Sequence, residues 1–579
     1  MIGLFENRNR LISLLIKQRC RCASKQDEYI QLSRYIDIDE KKIIEYKQNA
    51  NDFIYSLFPP RRQWVHLGKN TNRANLDTEE RNRKRLLYTI RKTIQTKEEP
   101  DWMKHLNDYV DKLLKMLQHP ETGKLDIHVT PICKSYSEDK KTHIKLIECR
   151  PICIFAREER IILSYLNNFL TNLFDNDFYP CSYAFRKPTK ERQGYMHILA
   201  VEQLQKYRRE HLQQVLYVAE CDMKKFYDTI AHSVIRKRFN QLLDKHIELQ
   251  TNEKECIMQW LNIYLSSYNF YEDVYKVFKE KPASEKDWSV ARNACPKRYR
   301  DANCKVEWVN DLIDDECTYN GEPRGIPQGG ALSTLLANVV LHFVDEPVLQ
   351  STHDKGMLYM RFCDDMILVG VNKIDVSNAF ETYMRAIEDS KLFPHKQETK
   401  YSKDFWDGKT REPYMWGKIA GNVDVHPWVT FVGFDCNWEG DLRIRKKTLH
   451  KEISKQYSTM NNVLCSSNKG LRCSRKSTLG YIKQRLMAMS VGIINMHNYL
   501  HNRHVHSWMK AFVILEENKW TRWQLKHLDR CRMIAIYKAS RILKDKDEGM
   551  EHHNDVLHYD ERKYHGKMFS YYGQCFTYR

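Results

Sequence analysis

The stretch LYMRFCDDMILVG (358–370) constrains the fold more than any other part of the chain. Two apolar, β-rich runs flank an acidic doublet, and the residues between them leave room only for a tight turn, so the pattern predicts a β-hairpin with carboxylates at its tip. Adjacent carboxylates repel each other and add nothing to folding. Their position at the end of two buried-type strands therefore points to chemistry, whereas the similar doublet Asp314–Asp315, in the polar segment DLIDDECTY, reads as solvated surface.

A second strand of the same kind precedes a third acid. In QQVLYVAECDMKKFYDTI (213–230) the run VLYVAE carries the chain to Asp222 and then into a polar turn and a helix. If the LYMRF strand lies beside it, Asp222 and Asp364 converge. Convergent carboxylates at strand ends suit a hard divalent cation such as Mg²⁺, which takes oxygen ligands from one or two carboxylates and from substrate phosphates. Two such ions about 4 Å apart activate an attacking hydroxyl and stabilise a leaving pyrophosphate.

The bulk properties are consistent with a nucleic-acid partner. The 579 residues exceed one ordinary domain, and 42% hydrophobic content supports sizeable cores. Lys plus Arg outnumber Asp plus Glu by 94 to 75, a formal net charge of +19, which favours a polyanion: nucleic acid first, an anionic membrane surface second. No apolar run approaches the roughly 20 residues of a membrane span, and LISLLI near the N-terminus is too short and too closely flanked by charge for a signal peptide, so a cytoplasmic protein is expected. The 17 cysteines form no CxxC pair and suit reduced thiols; Cys295, Cys304 and Cys317 match no common zinc spacing. GLRCSRKST (470–478) lacks the glycine before lysine that a phosphate-binding loop needs, and reads as a basic helix start.

GEPRGIPQGGALSTLLANVVLHFVDEPV (321–348) opens as a glycine-rich loop and continues as a helix with Leu332, Leu335, Leu336, Val339, Val340 and Phe343 on one apolar stripe and Ser333 as its expected N-cap. Glycines before a helix let backbone approach a flat ligand closely.

The order RPI at 150, AECDMKKFYDTI at 220, GIPQGGALSTLLAN at 325, FCDD at 362 and FVGF at 431 resembles the fingers and palm motifs of bacterial reverse transcriptases of the group II intron lineage, over roughly residues 125–450. FCDD stands where that family usually has Tyr-Ala-Asp-Asp. No endonuclease with paired cysteines and histidines is visible, so the resemblance is strongest to stand-alone, defence-associated reverse transcriptases. An endonuclease-free maturase is the second reading, and a catalytically inactive RNA-binding scaffold the third.

The resemblance implies an α+β right-hand polymerase. Residues 1–125 are a helical extension, 126–221 α-β fingers, 222–440 a ferredoxin-like palm with an insertion at about 240–320, and 441–579 a helical, basic thumb and C-terminal region. It makes Asp222 and Asp364 metal ligands with Asp365 a supporting acid, serving two Mg²⁺ ions for which Mn²⁺ can substitute. Tyr227 falls beneath the incoming sugar, Lys145 and Arg150 match groups that hold the triphosphate, and Gln328 and Gly329 border the nucleotide. Phe431, Gly433 and Phe434 match the primer grip. The lysine expected after the hairpin has Glu398 in the simplest register, leaving Lys396 or Lys400 to protonate pyrophosphate. The implied partners are an RNA template, specifically a noncoding RNA, a DNA product and deoxynucleoside triphosphates, with no membrane and with scope for a homo-oligomer. The terminal Tyr571, Tyr572 and Tyr578 are candidate protein primers.

Overall fold

The computed structural model describes residues 3–5, 7–32, 35, 53–67, 78–120, 123–139, 142–189, 196–282, 285–295, 299, 304–308, 321–399, 405, 408–418, 425–466, 473–491 and 511–544. Asp314, Asp315, Cys317, Lys400 and the three terminal tyrosines lie outside the described residues. The chain divides into two compact units, residues 1–8 with 111–427 and residues 9–110 with 428–579. The divisions fall inside the helix Asp101–Gln118 and at Pro427.

The first unit runs β1 (Ile127–Glu138), β2 (Lys145–Phe155), α1 (Arg157–Phe174), β3 (Leu216–Cys221), α2 (Thr251–Ser266), β4 (Lys305–Trp308), α3 (Ser333–Thr352), β5 (Leu358–Phe362), β6 (Asp365–Gly370), α4 (Lys373–Asp389), β7 (Gln397–Glu398), β8 (Thr410–Trp416) and β9 (Val425–His426). Its main sheet has the order β5-β6-β3-β8-β7, with β9 also paired to β8. The strands β3, β5, β6 and β8 with the intervening α3 and α4 make the βαββαβ ferredoxin-like palm expected of a right-hand polymerase. β3 and β6 are buried almost throughout, which explains why both read as continuous apolar runs instead of alternating ones.

One detail differs from the sequence expectation. The strand beside β3 is not LYMRF but the returning MILVG: Cys221 pairs with Met366 and Val218 with Val369. β6 thus lies in the middle, and the hairpin still delivers its tip to the end of β3.

The fingers sheet pairs β1 with β2 antiparallel and adds β4 parallel to β2. Residues 240–320, read as an insertion, therefore supply a strand of this sheet. Their helix α2 is also built into the interior: Trp260 and Tyr264 are buried, and the Trp260 indole donates to the carbonyl of Leu117 at 3.0 Å.

In the second unit, β10 (Trp428–Phe431), β11 (Phe434–Asn437) and β12 (Leu442–Ile444) form a meander. Three helices, α5 (Lys446–Ser466), α6 (Arg475–Val491) and α7 (Lys519–Lys544), enclose a core of Met460, Val463, Ile482, Leu486, Ala535 and Leu543. The helix start expected within GLRCSRKST is α6. Gln524 on α7 bonds both the amide and the carbonyl of Ile444, fixing the helix to the edge of β12. No helix among the described residues is long and apolar enough to cross a membrane.

Candidate active site

The site forms where β3 ends beside the β5–β6 turn. Phe362 pairs with Asp365, leaving Cys363 and Asp364 as a two-residue turn, with Cys363 held at φ +60°. A non-glycine residue there costs roughly 1–2 kcal/mol, and burial of the Cys363 side chain is what holds it. Its thiol is pushed up to about 12 by burial and then by Asp364, so it stays protonated and lies 3.5 Å from the Tyr227 hydroxyl.

Asp364 is half-buried, and its carboxyl is held above the usual carboxylate range first by burial and then by the charge of Asp222. The charge of Asp222 thus reaches Asp364, and a cation between the two would relieve that repulsion. Among the described residues no third acid, histidine or cysteine gathers with them into a metal cluster; Asp365 is exposed at the start of β6. Two carboxylates completed by substrate phosphates are the donor set that Mg²⁺ ordinarily takes, so the residues fit a divalent cation.

Two groups that sequence reasoning missed complete the Asp222 environment. The Lys409 ammonium lies 2.6 Å from Asp222 Oδ2 and donates to His395 Nε2 at 3.1 Å. The His395 amide donates to the Asp222 carbonyl at 2.9 Å, and burial, then the Lys409 charge, pushes the imidazole down to about 4, so it is neutral at pH 7. Lys409 sits just before β8, which reaches Asp222 only because β8 pairs with β3; nothing local in GKTREPY marks it. Lys396, the described candidate for the basic group, is exposed, and Glu398 lies on β7.

The glycine-rich loop is tied to the same place. Ile326 N donates to Tyr227 O, Gly325 N to Ile230 O, and Cys153 N of β2 to Gln328 O, at 2.7 to 2.8 Å. Gln328 Nε2 donates to Asp228 Oδ1 at 2.8 Å. Asp228 is buried and its carboxyl is pushed up by burial, opposed by Lys225, Gln328, Arg150 and Lys134. Asp228 follows Tyr227 directly, and its place six residues after Asp222 is the sequence signal for it.

Ser333 does not cap α3. It is the first helical residue, and its buried hydroxyl donates to Pro327 O at 2.6 Å and meets the Tyr264 hydroxyl at 2.7 Å. Gly330 packs so closely that a Cβ there would lie 2.0 Å from that tyrosine oxygen. The stripe also differs, because α3 is buried nearly all round and Phe343 is the half-buried member.

Arg150 is exposed on β2, within electrostatic reach of Asp228. Lys145 begins the same strand, opposite Glu138. Five residues apart, the two point to opposite faces and are separated by about 17 Å along the strand. Gly329 is exposed at φ +94°, beside the Cys153 carbonyl. In the second unit, Phe431 and Phe434 flank a turn with Val432 and Gly433 both at positive φ. Both phenylalanines are buried, with Phe434 against Phe512 at 5.0 Å, so the turn offers backbone and not those rings to a ligand.

A ferredoxin-like palm with two acids at its strand ends is an arrangement that suits nucleotidyl transfer. Residues 139–405, somewhat under half of the chain, match the family model described as reverse transcriptase (RNA-dependent DNA polymerase), so the centre of the chain carries a reverse transcriptase domain, a kind of domain that generally depends on divalent metal. No curated protein matches the chain. Among solved structures, telomerase from Candida albicans in complex with a fragment of telomeric RNA is similar over 86% of this chain and 77% of its own, at 12% identity and a TM-score of 0.30. Apo telomerase from Candida tropicalis is similar over 80% and 73%, again at 12% identity and 0.30.

Proposed function

We propose that Asp222 and Asp364 carry RNA-templated addition of deoxynucleotides to a primer, with Mg²⁺ as the working cation and Asp365 as a supporting acid. The observation that carries this is the Asp222–Asp364 pair at the strand ends, where burial and then the charge of Asp222 hold the Asp364 carboxyl above its usual range. When bound, Mg²⁺ supplies Lewis-acid stabilisation of the attacking 3′ oxygen and of the leaving pyrophosphate. In the reaction a bond forms between the primer 3′ oxygen and the α-phosphorus as the bond from that phosphorus to the β-phosphate oxygen breaks.

The chain's own residues orient and exclude. Tyr227, fixed through its carbonyl by the loop and beside Cys363 at its hydroxyl, presents a ring face where a sugar 2′ position would lie. Gln328, held by Asp228, and Gly329 border the base. Arg150 takes a phosphate, a task suited to a guanidinium, and Lys145 contributes charge from farther along β2. Lys409, bonded to Asp222, holds or moves a proton beside that carboxylate. Phe431, Gly433 and Phe434 act as a primer grip through the hairpin turn.

We further propose that the enzyme works with a dedicated noncoding RNA in antiphage defence. Two things support this: the motif order from RPI to FVGF, which resembles stand-alone defence-associated enzymes, and the +19 net charge, which favours a retained RNA. The test expresses the gene with its native flanks, sequences the nucleic acid that copurifies, and plates a broad phage panel. A single flank-encoded RNA and protection abolished by Asp364→Ala are the expected results. Equal plating with active and Asp364→Ala protein contradicts the defence role, and efficient splicing of a flanking intron favours the maturase instead.

A further inference from the structure

The segment around α7 carries aromatics interleaved with cations, a pattern that fits either core aromatics under a solvated basic face or a ligand-facing stripe. The structure decides between them. Leu525, Leu528, Ala535, Ala539 and Leu543 take the buried side, while Trp523 and Tyr537 are 62% and 64% exposed. Trp520, Trp523, His527, Arg530, Ile534 and Tyr537 recur at three- and four-residue steps and so share one outward row. The Trp523 ring stacks parallel on His527, with centroids 5.2 Å apart, and Tyr537 lies about 21 Å farther along the axis. The helix holds eight Lys or Arg against one acid, Asp529, which is paired with Arg532.

We propose that this outward row of α7 is a stacking platform for single-stranded nucleic acid. Exposed flat rings accept any base, and the flanking Lys526, Lys538 and Arg541 meet the phosphates. The cations decide against other occupants. Arg530 stands within the row itself, where a helix lying on a membrane keeps its apolar face free of charge, and the excess of eight cations over one acid on this helix selects a polyanion over an ordinary protein face. At the N-terminal end, Trp520 packs on Trp428, and Arg443 stacks over Trp428 at 3.7 Å while bonding Asp435. Asp435 also lines a cleft of about 520 Å³ with Arg445, Lys446, Lys447 and His450, so a strand leaving the row meets further cations. The platform does not depend on Asp222 or Asp364, and the binding test below is read without catalysis.

The experiment measures fluorescence anisotropy of the full chain with labelled oligouridine of about 20 nucleotides, with a duplex of the same length, and cosedimentation with phosphatidylserine vesicles. Trp523→Ala with Tyr537→Ala should weaken single-strand binding at least about tenfold and leave duplex binding within about twofold, while Trp523→Phe with Tyr537→Phe retains it. Because both rings are exposed, the melting temperature should not move. If the alanine variant is unstable, Lys526→Gln with Arg541→Gln serves instead and should lower the salt dependence of single-strand binding. Unchanged single-strand affinity in the folded variants overturns the proposal. So does an equal loss for duplex, or a loss confined to vesicles.

Discussion

Removing the charge of Asp345 should loosen the hairpin that presents Asp364. Arg361 lies on β5 three residues before Asp364, is 1% exposed, and gives Nε to both Asp345 carboxylate oxygens at 2.8 and 2.9 Å. The Tyr359 hydroxyl donates to the same carboxylate at 2.7 Å, and Arg361 Nη1 donates to Asn338 at 2.9 Å. The guanidinium is held above its ordinary range by Asp345 despite the opposing effect of burial. Asp345→Asn keeps the shape but leaves a buried cation uncompensated, which costs about 3–5 kcal/mol, a large part of the 5–15 kcal/mol typical of a domain. Replacing both partners, Asp345→Leu with Arg361→Met, removes the stranded charge and should recover much of that loss. The assay is the urea midpoint followed by circular dichroism, with amide hydrogen exchange read over residues 358–370. Asp345→Asn should lower the midpoint and speed exchange in the hairpin, and the double variant should lie closer to wild type. A single variant with the wild-type midpoint and wild-type hairpin exchange would show that the Asp345–Arg361 pair does not hold the hairpin.

Gly330→Ala should lose both stability and nucleotide incorporation, because its Cβ meets the fully buried Tyr264 hydroxyl; adding Tyr264→Phe should restore part of each, by thermal melting and primer extension. In EDTA, Asp364→Asn should melt higher than wild type at pH 7–8. The pKa of Asp364 is raised on folding, so the penalty is absent below the ordinary carboxylate range and grows as pH rises through it; the gain should therefore vanish near pH 3, and a gain that persists there contradicts the repulsion. Tyr227→Ala should cut the preference for deoxy- over ribonucleotides about tenfold or more, measured by paired single-nucleotide incorporation; an unchanged ratio places the discrimination elsewhere.

The palm was legible because its strongest signals are local. An acidic doublet between two apolar runs can only be a hairpin tip, and Asp222 closes a run whose apolar continuity marks a strand covered on both faces. What escaped depends on distant pairing. Lys409 reaches Asp222 through β8 against β3, across 187 residues of chain. Ser333 looks like a cap until Pro327 and Tyr264 are seen to use its hydroxyl. Lys145 and Arg150 appear close in sequence, yet the two-residue alternation of β2 sends them to opposite faces. FVGF announces a turn, but the burial of its phenylalanines is decided by a partner such as Phe512, which no local pattern reveals.

We propose that Asp222 and Asp364 together hold the cation for nucleotidyl transfer. The most direct test is single-turnover incorporation of deoxynucleotide on an RNA template with a DNA primer, in Mg²⁺, comparing wild type with Asp222→Asn and Asp364→Asn. Both variants should remain folded by circular dichroism and lose incorporation by at least about a thousandfold, a barrier rise of about 4 kcal/mol. Incorporation at the wild-type rate by either folded variant would mean that the cation is held elsewhere.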